Sequence, residues 1–184
     1  AAVESGSVSW DERQSSFVNS RTPWFFAQDL STDTSNYDAK NMPKLFRFRG
    51  LNHGAYVQEN LKVSIANLRA STTKADPYGT FDVLLRAAND TDNKPQIVER
   101  FSQVNLNPDS EKYIARQIGD MFIEFDNDAR TNREYGTYAN RSEFVRIEMN
   151  PDVDNGLTDP ELLPFGVFGP PRPLGFALIS GSNA

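Results

Sequence analysis

Four stretches of this chain alternate apolar and polar residues with a period of two, and that rhythm limits what the chain can fold into. Phe46 and Phe48 alternate with Arg47 and Arg49, and Leu61, Val63 and Ile65 alternate with Lys62 and Ser64. Phe81, Val83 and Leu85 repeat the pattern between Thr80 and Arg86, and Val145, Ile147 and Met149 alternate with Phe144, Arg146 and Glu148. Successive side chains of a strand point to opposite faces, so each stretch reads as a half-buried strand. Turn chemistry separates them: Asn52, His53 and Gly54, then Asp76 to Gly79, then Asn89 to Pro95. Gln96 to Phe101 and Met121 to Phe125 read as further extended segments, with a polar loop from Asp126 to Arg133. The expected fold is α+β, mainly antiparallel sheet, arranged as a meander or sandwich.

A single capping helix is expected near residues 108–119. Asn107 or Ser110 would cap it, Pro108 is tolerated in the first turn where its missing N–H has no partner anyway, and Gly119 would end it. Tyr113, Ile114 and Ile118 form one apolar stripe that would cover the sheet, leaving Glu111, Lys112 and Arg116 to water. Residues 1–43 are polar but carry Trp10, Phe17, Trp24, Phe25 and Phe26, and read as an extended segment draped over a domain at 44–150. Residues 151–184 read as an extended linker rich in Pro and Gly, because Pro164, Pro170, Pro171 and Pro173 oppose a helix.

Composition closes off several function classes. The chain has no cysteine, which removes disulfides, thiolate metal sites and cysteine nucleophiles. A formal charge of -6 opposes the counterion release that drives nucleic-acid binding, so no nucleic-acid partner is expected. No apolar run approaches the roughly 20 residues of a membrane helix, and Ala1 to Trp10 lacks the regions of a signal peptide. Membrane insertion is therefore not expected.

The candidate chemistry is sparse. His53, the one histidine, sits in a turn, and no G-x-S-x-G elbow accompanies it. Asn150, Asp152, Asp154 and Glu161 fall on positions one, three, five and twelve of a calcium loop. Gly156 is one place too late for the sharp turn, and Pro151 and Pro160 interrupt the loop, so a solvated acidic turn is expected there. Asp90 and Asp92 form a second acidic turn, read the same way. Asn89-Asp90-Thr91 and Asn140-Arg141-Ser142 match the glycosylation pattern, which short chance matches also satisfy. Arg47, Arg49, Lys62, Arg69 and Arg86 read as charges on solvated strand faces. No catalytic, cofactor or metal residue is assigned, and no cofactor is expected.

Three adjoining phrases carry a family likeness: YGTFDVLLR at Tyr78 to Arg86, IVERFSQVNLNPDS at Ile97 to Ser110, and KYIARQIGD at Lys112 to Asp120. In this order they resemble the contractile tail sheath proteins of bacteriophages. There a strand of the form F-x-V-x-V-R precedes a D-T-D-like turn, a V-E-x-F strand, an L-x-P-x-S helix start and a Y-I-x-x-x-I-G-D helix. Asp90-Thr91-Asp92 supplies the turn; Leu106, Pro108, Ser110, Tyr113, Ile114, Ile118, Gly119 and Asp120 supply the rest. Upstream, FRGLNHGAYVQENLKVSI fits a sheath segment through Asn60, Lys62, Val63 and Ile65, while Ala55 and Tyr56 depart from the commoner glutamate and tryptophan. Downstream, RIEMNPDVDNGLTDPELLPFG is similar to larger sheath subunits, so the likeness covers residues 45 to 166.

The resemblance implies a non-enzymatic virion protein, an inserted or outer domain of a longer subunit. Its partners would be other copies of itself, stacked as hexameric rings, with the tail tube and baseplate engaged by the rest of the subunit. It would assemble in the host cytoplasm, and contraction of the lattice would drive the tube through the host envelope. Two other classes compete. A carbohydrate- or receptor-binding virion domain would stack sugars on Trp10, Trp24 and Tyr138, and a hydrolase would use a pair of carboxylates about 5 Å apart.

Overall fold

The computed structural model describes residues 19–28, 42–52 and 55–165. Strands β1 (Phe25–Phe26), β2 (Lys44–Gly50) and β8 (Val145–Met149) form one antiparallel sheet in the order β1-β2-β8. Strands β3 (Leu61–Arg69), β4 (Thr80–Ala87) and β5 (Ile97–Val104) form a second, and β6 (Phe122–Asp126) with β7 (Thr131–Tyr135) forms a two-stranded third. Among the described residues there are three short helices: α1 (Tyr56–Asn60), α2 (Ile114–Ile118) and α3 (Pro151–Asp154). The fold is α+β and mainly antiparallel β, as the alternation requires. Only β3-β4-β5 is a meander; β8 returns across the chain to pair with β2, Phe48 opposite Ile147 and Gly50 opposite Val145.

The period-two pattern decides which faces meet. Phe46, Phe48, Val145 and Ile147 turn inward from the first sheet, and Ile65, Phe81, Val83 and Leu85 from the second. Phe46 is the joint: its ring stacks on Phe81 of the second sheet at 6.0 Å and on Phe25 of β1 at 5.2 Å. The described part of the N-terminal segment joins the domain as β1, with Ala27 fully buried and Gln28 N–H donating to the Leu163 carbonyl at 2.8 Å. Trp10 and Phe17 lie outside the described residues.

The capping helix is shorter than expected. Asn107 to Lys112 form consecutive turns, in which the Ser110 hydroxyl accepts from the Lys112 N–H and the Asn105 amide, and the helix begins at Ile114. Ser110 thus orders a turn in place of capping a helix. The stripe behaves as expected, with Tyr113, Ile114 and Ile118 fully buried. Gly119 ends the helix at φ 103°, where a Cβ would lie 2.3 Å from the Asn140 Cα, so glycine is required on two counts. Thr131 to Arg133, expected in a loop, belong to β7.

The stretch from residue 151, expected as an extended linker, is instead docked through Phe165. Pro151 to Asp154 make a helical turn, because proline is tolerated at its start and Asn150 caps it by accepting from the Asp152 N–H at 3.2 Å. Leu162 and Leu163 are buried, and Pro164 bridges to Ala27. Pro170, Pro171 and Pro173 lie outside the described residues.

Candidate interaction surfaces

The expected solvated charges prove to be unequal. Arg86 is 3% exposed and is the centre of an ion cluster at the end of the β4–β5 hairpin. Its Nε and Nη2 donate to both oxygens of Asp90 at 2.8 and 2.7 Å, and its Nη1 reaches Asp92 at 2.8 Å and Ser64 at 3.2 Å. Lys62 adds a contact to Asp90 at 2.6 Å, and the Gln96 N–H donates to the same carboxylate at 2.7 Å. Asp90 is covered by these partners at the rim of the molecule, not by depth of protein. The Arg86 hydrogen bonds outweigh the cost of burial and hold its carboxyl well below the usual range. The Asp90-Thr91-Asp92 turn is therefore a clamp joining β3, β4 and the entry to β5, and Arg86 and Asp90 are not solvated as expected, while Lys62 keeps 37% of its side chain exposed.

Other polar residues of the resembling phrases are spent in the same manner. Asp82 accepts from the Asn67 amide at 2.7 Å and the Gln103 N–H at 2.8 Å, holding both left-handed residues, φ 52° and 54°, at register shifts in the flanking strands. Glu99 accepts from the Ser142 hydroxyl at 2.6 Å and the Glu143 N–H at 2.9 Å, tying β5 to the approach to β8. Asp120 accepts from the N–H groups of Thr137 and Tyr138. The Tyr113 hydroxyl donates to Asp154 at 2.7 Å, and burial raises its pKa.

Two of the four suspected calcium ligands are likewise occupied: Asn150 caps α3 and Asp154 receives Tyr113, while Asp152 and Glu161 are exposed. A helical turn spans the positions that a calcium loop needs to wrap, and among the described residues no group of three His, Asp or Glu side chains converges. Asn89 and Asn140 are exposed, but the Asn140 amide donates to the Met121 carbonyl at 2.8 Å. His53 and Trp10 lie outside the described residues. The two described candidates for sugar stacking each carry a guanidinium on the ring: Arg47 over Trp24 at 4.6 Å and Arg116 over Tyr138 at 5.4 Å. One face of each ring is thus already taken.

Among the described residues, two charged surfaces stand out. On the outer face of the first sheet, Arg47 lies opposite Glu148 and Arg49 opposite Arg146; Arg47 and Arg49 both bond Glu148, and Arg146 does not. Like charges opposed across a ladder are destabilising. Arg146 is 8% exposed with its guanidinium over the Phe122 ring at 4.0 Å, and burial together with Arg49 lowers its pKa. Glu148, despite burial that opposes ionisation, is held below its usual pKa by Arg47 and Arg49. Beside this face, at the Gly50–Val145 end of the ladder, a cleft of about 250 Å³ opens between the residues 20–23, β2, α1 and β3. Val57, Leu61 and Val63 line its interior, Arg21, Arg49 and Lys62 carry its charge, and no acidic residue lines it.

The second surface is acidic. Residues 150–165 contain Asp152, Asp154, Asp159 and Glu161 and no basic residue, with Leu157 76% exposed among them. Sequence reasoning found Asp152, Asp154 and Glu161 but not Asp159, and it missed the cleft, because α1 has no buried residue and no apolar stripe to announce it. Among the described residues no helix is long and apolar enough to cross a membrane. Comparison with protein-family models, curated proteins and solved structures finds no match to this chain.

Proposed function

We propose that this chain is a structural domain of a contractile tail sheath subunit, a rigid block that copies of the subunit move as a body when the lattice shortens. The carrying observation is the fate of the phrases Tyr78–Arg86, Ile97–Ser110 and Lys112–Asp120. They follow one another as β4, a clamped turn, β5, an ordered turn series and α2, and their acidic residues Asp82, Glu99 and Asp120, with Asp90 of the intervening turn, hold separate segments together. Carboxylates committed to internal hydrogen bonds favour rigidity over acid–base work. A block of this kind transmits displacement, and the free energy of contraction then comes from exchanged interfaces between subunits.

Faces that must part and re-form suit polar and charged contacts, which set register and specificity more than raw affinity. The arginine face and the acidic segment have that character. Expression of the intact subunit followed by negative-stain electron microscopy tests the proposal. Tubes or stacked six-membered rings are expected; a subunit that stays dispersed under all assembly conditions would refute it.

A further inference from the structure

The cleft and the acidic segment are complementary, and their placement points to one contact. We infer that the Leu157 turn of one copy inserts into the Arg21–Arg49–Lys62 cleft of the next, joining copies head to tail. The inference rests on the sheath reading for its context, though not for its geometry.

Leu157 is an apolar side chain displayed to solvent on a stiff mount. The Leu157 N–H donates to the Asp152 carbonyl at 2.8 Å and the Gly156 N–H to the Val153 carbonyl at 3.0 Å, while Val153 beneath is buried. Gly156 takes φ 67°, which turns the chain outward at that point. A pre-ordered loop loses little freedom on docking, so one side chain can serve as an anchor. The cleft matches it in size and lining, being smaller than the roughly 300–1,000 Å³ of a small-molecule site and walled by valine and leucine. The charge pattern matches as well. The acids flanking Leu157 would meet Arg21, which has no ion-pair partner among the described residues, while Arg49 and Lys62 at the same rim already bond Glu148 and Asp90.

The two surfaces cannot meet within one molecule. The acidic segment leaves β8 beside Lys44 and Leu45, where the Asn150 N–H and side-chain amide bond those two carbonyls. The cleft lies at the other end of the same ladder, beside Gly50. At about 3.3 Å per residue the ends of β2 are roughly 20 Å apart. A knob at one end and a socket at the other make a heterologous interface, which propagates into rings or open helices instead of closing as a two-fold dimer.

The closing test uses the whole chain at concentrations from ten micromolar to about one millimolar, since a single anchored contact is weak. One variant, Leu157→Asp, removes the knob; a second, Arg21→Glu with Gln58→Glu, removes the socket; all three positions are exposed. Sedimentation should show salt-sensitive chains of the parent at the upper end of the range and monomers of each variant alone. Mixed in equal amounts, the two variants should form a one-to-one dimer and nothing larger, because one intact knob meets one intact socket. Circular dichroism melts confirm that each variant folds. A mixture that stays monomeric while the parent associates, or a parent monomeric throughout, overturns the inference. Tubes of the intact subunit with a failed mixture would sink this contact alone. A successful mixture without tubes would sink the sheath proposal and leave the contact standing.

Discussion

Phe46→Ala tests how the two main sheets are held together. The ring is fully buried and lies within 6.0 Å of three other rings: Phe25 at 5.2 Å, Phe48 at 5.7 Å and Phe81 at 6.0 Å. Truncating a buried phenylalanine costs about 3–5 kcal/mol, the lost transfer energy plus the cavity left behind. For a protein of this size that corresponds to a fall in Tm of roughly 6–20 °C. Phe46 and Phe81 stack across the sheets at an interplanar angle of 4°, and such a pair carries about 0.5–1.5 kcal/mol beyond burial. The double variant Phe46→Ala/Phe81→Ala should therefore lose less than the sum of the single losses, by about that amount. Urea unfolding followed by circular dichroism and by tryptophan fluorescence measures all three. Tyr56→Ala, at a side chain 62% exposed, is the control and should change stability by less than about 0.5 kcal/mol. Single losses below about 1 kcal/mol, or strictly additive ones, would show that the sheets are joined elsewhere.

Three further outcomes are expected. Ile114→Ala and Ile118→Ala should each destabilise the domain by about 2–5 kcal/mol in the same assay, since both are fully buried under α2; losses below half a kcal/mol at both would place the helix toward solvent. Asp90 is more acidic folded than unfolded, so its contribution is complete above its ordinary pKa of 3.8 and is lost as pH falls below that value; Asp90→Asn should flatten the acid limb of a stability–pH curve, and an unchanged limb would show that the clamp does not matter. Calcium should leave Tm unchanged because Asn150 and Asp154 are engaged internally and a helical turn occupies the loop positions; a bound ion at 100 times its Kd would contribute about 2.7 kcal/mol, and a rise reversed by EDTA would contradict this.

The strands were legible because a half-buried strand writes its period directly into the sequence, and Phe46, Phe48, Phe81, Val83 and Leu85 all face the core as their spacing requires. Period two says nothing about partners, however. The pairing of β2 with β8 depends on chain crossings over about a hundred residues, for which local pattern holds no record. The helix near Ile114 was legible in its stripe and overextended at its start, because Pro108 and Ser110 suit a turn series as well as a first helical turn. Arg86 was misread for a different reason: an arginine alternating with leucines on a strand looks solvated until Asp90, Asp92 and Ser64 are seen to close over it. The cleft has no sequence signature, since Arg21, Arg49, Val57 and Lys62 come from four separate segments.

A domain that repeats along a contractile sheath, as proposed, can be located on the particle by labelling. Antigen-binding fragments raised against the folded chain would be imaged on intact and contracted phage particles by electron microscopy. Label is expected in regular rings along the whole length of the tail, with ring spacing that shortens on contraction. Label confined to fibres, to the baseplate tip or to the capsid would contradict it and would favour a receptor-binding role.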